Sequence, residues 1–275
     1  HRSRGGALSL PGSSERLAQR LPHWPLHREQ WPVLLCLLAL TGLAWLVLQR
    51  MAVQMAAPGG MGDLAMAGMP MPWSLADALL MLSMWAVMMI GMMLPSALPM
   101  ILLYQQMLRR YLAAPQRHVA LLLFCLAYLV VWGGFSLIAT ALQWGLDQLA
   151  LLSPAMRSQS HWLAAGLLLA AGVYQWLPGK ATCLAHCRGP VLFLMSHWRA
   201  GVAGGWRMGL SHGLYCLGCC WALMGLLFVG GVMNLLWVAL IGAYVLLEKI
   251  LPHGLWLSRI AGLLLIAWGF ALLLT

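Results

Sequence analysis

Apolar runs about as long as a bilayer is thick recur along this 275-residue chain, separated by short polar or basic joints. A run of roughly 18 to 20 apolar residues with few charges is long enough to cross a hydrocarbon core as a helix. With 62% hydrophobic and 8% charged residues, the chain lies far from a soluble domain, where about a quarter of residues are charged. The pattern predicts an all-α, polytopic transmembrane bundle of six to seven helices. The expected spans are Trp31 to Leu48, Leu75 to Tyr104, Val119 to Leu142, His161 to Leu177, Met208 to Gly230, Leu235 to Leu247 and Ile260 to Leu274. The second span, at about 30 residues and roughly 45 Å, exceeds a membrane core. Pro95 and Pro99 are therefore expected to kink or break it and to free carbonyls one turn earlier, near Gly91 and Pro95.

Around these spans the chain divides into residues 1–30, a basic tail expected to be mobile, a first helix over 31–50, a linker over 51–74 and a bundle over 75–275. The first helix resembles a signal-peptide core in position but lacks a small-residue cleavage site, so it reads as retained. With no initiator Met, the natural start is expected upstream. A net charge of +10 would suggest nucleic acid in a soluble protein, but here the basic residues fall between apolar spans and no nucleic-acid motif accompanies them. Placing the N terminus in the cytoplasm puts fourteen of the sixteen Lys and Arg on that side, all but Arg50 and Arg157. The positive-inside rule then sets the orientation in a bacterial inner membrane, with the lipid bilayer as the first partner. The Gly230 to Asn234 joint must close a tight antiparallel hairpin.

Within this frame, soft ligands cluster. Thirteen of the nineteen methionines lie between residues 51 and 100, first in the linker, then in the second span, where Met84, Met88 and Met92 recur every fourth residue beside Met93. Thioethers are uncharged soft donors that favour Cu(I); a methionine in a membrane bundle is otherwise an adaptable filler. In YQWLPGKATCLAHCRGPVLFL, Cys183, His186 and Cys187 stand at i, i+3 and i+4 and share one face if helical. Lys180 and Arg188 bracket them and would favour the thiolate. In GLSHGLYCLGCCWALMGLLF, His212 precedes Cys216 by one turn, and Cys219 and Cys220 follow at i+3 and i+4. One buried cysteine is usually a small hydrophobe, but three within five residues, with a histidine in register, form a ligand face. Depth along the helices puts the Met stripe and this thiol face near mid-membrane together. Glu248 ends the apolar run VALIGAYVLLEK, and an intramembrane carboxylate calls for a partner. Lys249 at i+1 cannot share its face, so Glu248 is expected to pair with a basic residue of another helix, balance a bound cation or relay protons. It otherwise merely ends the span.

Three blocks, MWAVMMIGMMLPSALPMILLY, YQWLPGKATCLAHCRGPVLFL and GLYCLGCCWALMGLLFVGGVMNLLWVALIGAYVLLEKILPHG, resemble a bacterial family of unknown function described as predicted metal-binding integral membrane proteins. The resemblance covers roughly residues 75 to 255. It implies metal binding at Cys183, Cys187, Cys216, Cys219 and Cys220, with Met92, Met93 and Glu248 as further candidates. The leading expectation is a membrane protein that binds a soft transition metal, Cu(I) ahead of Zn, for transport or for exchange with a metallochaperone or cuproenzyme. No Walker or phosphorylated-Asp motif is visible to drive transport, and six acidic residues leave little for a hard-metal cage. The second reading is a transmembrane thiol-disulfide electron carrier exchanging Cys183 or Cys187 with Cys216 or Cys219, which gives the thioethers no role. The third is a scaffold whose Gly201 to Gly213 stretch packs on a partner, which explains the glycines but not the thiols.

Overall fold

The computed structural model describes residues 28–56, 73–153 and 156–274; the basic tail up to residue 27 and most of the methionine linker lie outside them. The helices are α1 (Gln30–Ala56), α2 (Leu75–Tyr111), α3 (Ala114–Gln148), α4 (His161–Tyr174), α5 (Pro178–Arg188), α6 (Pro190–His197), α7 (Val202–Gly225), α8 (Leu227–Gly230), α9 (Leu235–Ile250) and α10 (Gly254–Leu274). Among the described residues, five helical stretches are long and apolar enough to cross a membrane: α1, α2, α3, α7 with α8, and α10. Two expected spans are shorter: α4 has 14 residues and α9 has 16. Exposed side chains such as Leu43, Leu46, Leu263, Leu264 and Phe270 face outward from α1 and α10, where a water-soluble protein would place charges.

The α2 helix begins on a capping box, in which the Ser74 hydroxyl accepts from Asp77 N and the Asp77 carboxylate accepts from Ser74 N. The box satisfies two backbone donors that the first turn leaves free. Of the expected kink or break, the break does not occur: α2 continues through Pro95 and Pro99 to Tyr111. One reason is a substitute donor. Pro95 cannot bond the Gly91 carbonyl, and the Trp45 indole of α1 donates to that oxygen at 3.3 Å instead. Trp45→Phe should therefore cost about 1–3 kcal/mol by leaving a buried carbonyl unpaired. In a Pro95→Ala background, where residue 95 regains its N–H, the cost should largely vanish. Thermal unfolding of the four proteins in detergent measures the coupling.

Glycine spacing sets the closest helix crossing. A Cβ built at Gly205 would lie 2.2 Å from Ala120 O, one at Gly209 2.3 Å from Phe124 O, and one at Gly213 2.9 Å from Val131 Cγ2. These positions bring α7 against α3 as small-residue ladders do in membranes. The Gly201 to Gly213 stretch thus packs within the same chain, which removes the feature on which the scaffold reading stood. A second crossing joins α4 and α10, where a Cβ at Gly172 would lie 2.9 Å from Gly262 O. Past α8 the chain reverses at Gly231, φ +96°, a conformation glycine adopts without a Cβ penalty. Asn234 then caps α9 by accepting from Trp237 N at 3.2 Å, and the Trp237 indole closes the turn on Leu226 O at 2.8 Å.

Candidate metal centre

Cys216, Cys219 and Cys220 share one buried face of α7, as their spacing requires. The Cys219 and Cys220 thiols donate to the Cys216 carbonyl at 3.1 and 3.0 Å. Short α5 brings a fourth thiol, Cys187, to the side of Cys216 and Cys219. The two cysteine motifs therefore meet. Cys183, one turn earlier, lies alongside rather than among them: its sulfur is 2.7 Å from where a Cβ on Gly218 would stand. Glycine at 218 makes room for that thiol. All seven cysteines are free thiols.

The methionine stripe reaches the same place. Met93 Sδ is 3.9 Å from Cys220 Sγ, so α2 and α7 touch through their soft donors. Tyr128 of α3 joins them, donating to Met93 O at 3.1 Å while its oxygen faces Cys216 Sγ at 3.2 Å. Met84, Met88 and Met92 are all buried in α2. Met92 packs on Gly242 of α9, whereas Met84 and Met88 lie about 14 and 8 Å along the helix axis from Met93. They are spaced along a line rather than gathered at the thiols.

His212 is 3% exposed and sits among the rings of Phe124, Tyr128 and Phe193, with centroids at 6.0, 5.6 and 5.6 Å. Neither ring nitrogen has a hydrogen-bond partner. Leaving such groups buried and unpaired costs about 1–3 kcal/mol each. His186 is placed differently from expectation. Its ring stacks on Tyr215 at 4.1 Å and its Nδ1 bonds Thr182 O at 2.8 Å, beside His197 rather than among the sulfurs.

The charges also depart from their expected places. Lys180 turns away from the thiols and pairs with Glu248 at 2.7 Å, both fully buried, while its ammonium also contacts Gln175 Oε1. Arg188 donates to Leu251 O at 2.7 Å and to Pro252 O. Neither cation is left to favour the thiolates. Lys249 takes that place, with Nζ 3.0 Å from Cys216 Sγ and 2.9 Å from Ser96 Oγ. Lys180 and Lys249, both counted among the basic residues that set orientation, are thus buried side chains. The rule that flagged Glu248 applies equally to Lys249. Two opposite charges at i and i+1 in an apolar run cannot pair with each other, so each needs a partner elsewhere.

In this arrangement no three or more of the described His, Cys, Asp and Glu side chains surround a point that would hold a metal ion. The thiols instead engage one another, the Cys216 carbonyl and Lys249. The donor types still suit a soft ion: thiols and a thioether lie side by side, and one turn earlier on α7 a buried imidazole keeps both nitrogens unpaired. Such a cluster inside a bundle of membrane-length helices defines a class of apolar helical proteins built around soft ligands. Residues 82–272 match the PpoB2 family, described as a copper chaperone, and the chain belongs to that family. The matched span contains all three blocks that carry the resemblance noted from the sequence and leaves α1 outside. No curated protein and no solved structure matches the chain significantly.

Proposed function

We propose that the protein binds copper as Cu(I) at Cys187, Cys216, Cys219, Cys220, His212 and Met93 and delivers it to a cuproenzyme or metallochaperone at the bacterial inner membrane. The observation that carries this reading is the meeting of a thioether with the thiol cluster, Met93 Sδ 3.9 Å from Cys220 Sγ. Thiolates alone would suit zinc as well, whereas an added thioether favours Cu(I). Copper here is cargo. The methionine-rich segment over 51–74, whose first residues continue α1 to Ala56, captures it on the outer side, Met84, Met88 and Met92 form the line along α2, and the thiols hold it deeper in the bundle, with the N terminus cytoplasmic. Cys183, His186 and Glu248 stand around this core as further candidate ligands.

Full-length protein in detergent, kept reduced, is expected to withdraw about one Cu(I) per chain from a chromophoric chelator, as one cluster of soft donors would. Loss of a single supporting contact lowers metal affinity 10–100-fold, so the C216S/C219S/C220S variant should lose more than about 100-fold. Equal affinity of that variant, or no Cu(I) bound by the wild type, would sink the reading.

The contact of Cys187 with Cys216 and Cys219 favours one second reading, thiol-disulfide electron transfer through that pair. A trapped mixed disulfide with an external partner protein would support it; unimpaired thiol exchange in a Cys187→Ser variant would exclude it.

A further inference from the structure

Softness alone leaves a selectivity problem, because thiolates also bind divalent ions such as zinc. The cluster holds a second discriminating element, an ammonium group. Lys249 is 8% exposed, and its Nζ touches Cys216 Sγ and Ser96 Oγ. Among the described residues no carboxylate pairs with it. Glu29 serves Arg109 and Arg117, and the neighbouring Glu248 is held by Lys180. The positive charge of Lys249 therefore acts on whatever the thiols hold.

We propose that Lys249 makes the thiol cluster prefer a monovalent soft cation over a divalent one. The inference rests on reading this cluster as the copper-binding site. An ion bonded to Cys216 at about 2.3 Å lies no farther than roughly 5 Å from the ammonium. At that range, in a low-dielectric interior, the repulsion grows in proportion to the ion's charge. For the same two thiolates, whose protons leave to solvent on binding, Cu(I) and the ammonium bring the site to zero net charge. A divalent ion leaves it at +1, and an uncompensated buried charge is costly. Lys180 contributes to this arrangement by occupying Glu248, which would otherwise be the nearest carboxylate along the chain to cancel Lys249. The Lys180–Glu248 pair keeps the charge of Lys249 directed at the sulfurs.

Competition titrations with Cu(I) and Cd(II), both thiophilic, on the reduced full-length protein test the idea, read by chelator competition and by thiolate-to-metal charge-transfer absorption. A unit charge within 4–6 Å shifts an ionic equilibrium by roughly ten- to a thousandfold, so Lys249→Met should lower the Cu(I)-to-Cd(II) affinity ratio by about 100-fold. Lys249→Arg keeps the charge and should hold the ratio within a few fold. Ser96→Asp leaves Lys249 in place and sets a carboxylate against it, so it should lower the ratio in the same direction, which keeps the test decisive should Lys249→Met not fold. An unchanged ratio in a folded Lys249→Met or Ser96→Asp protein, with Cu(I) still bound by the wild type, overturns the charge role alone. Failure of the wild type to bind Cu(I) overturns it together with the function on which it rests.

Discussion

Replacing Lys180 with Met is expected to destabilise the protein by about 3–5 kcal/mol, because it strands the Glu248 carboxylate in the interior. The two side chains are 1% and 0% exposed and 2.7 Å apart. Around them, Tyr244 OH donates to Glu248 Oε1 at 3.3 Å, and Ser258 Oγ donates to Gln175 Oε1 at 2.7 Å. Glu248 Oε2 already lacks a partner, so without the ammonium the buried carboxylate keeps the Tyr244 hydroxyl but no charge to balance it. Removing both charges in Lys180→Met/Glu248→Leu should recover most of the loss, since apolar replacement of a whole buried pair is often neutral or better. Chemical unfolding of the wild type, both single variants and the double in detergent provides the cycle. A double variant no more stable than Lys180→Met would mean that packing, not charge, explains the loss. The same samples bear on Glu248 as a ligand, because undiminished Cu(I) affinity in the double variant would remove it from the set.

The second large effect is expected at Gly209. A Cβ there would meet Phe124 O at 2.3 Å and Ala127 Cβ at 2.9 Å, and a backbone carbonyl cannot swing aside as a flexible side chain can. Gly209→Val should force α3 away from α7 at about 3 kcal/mol, the upper part of the usual range for overpacking. The damage should extend to the metal centre. Tyr128 lies one turn beyond Phe124 on α3 and spans Met93 O and Cys216 Sγ, so a displaced α3 loosens a contact that orients the cluster. A fall of at least about tenfold in Cu(I) affinity is expected from such an outer contact. Gly133→Ala is the control on α3, since nothing lies within 4 Å of a Cβ there; it should leave both stability and affinity near wild type. If Gly209→Val loses stability but keeps full affinity, Tyr128 does not support the cluster.

These two cases mark what a single sequence discloses and what it withholds. The i, i+3, i+4 spacing put Cys216, Cys219 and Cys220 on one face, because helix geometry is local and the sulfurs could hardly do otherwise. Hydropathy likewise locates the helices, missing mainly how short α4 and α9 are and that α5 and α6 follow α4 as separate short helices. Partner choice was not local. Glu248 announced its need of a cation, yet nothing near it in the chain named Lys180, 68 positions earlier by their numbering. A count of Lys and Arg in joints treats Lys249 as solvated and cannot see Cys216 or Ser96 across the bundle. The Gly201 to Gly213 stretch suggests packing on a partner, but glycine content is indifferent to whether the approaching helix belongs to another chain or, as here, to α3. Pro95 foretells a free carbonyl, and only the fold supplies the Trp45 indole as its donor.

The cluster draws Met93 from α2, Cys187 from α5, three cysteines and His212 from α7, and Lys249 from α9. Lys249 follows all four thiols in the chain, so they are made before the ammonium proposed to balance their charge can reach them. Correct metal choice becomes a property of the finished protein only, and a truncated or half-inserted chain would be a less discriminating scavenger that quality control has reason to remove.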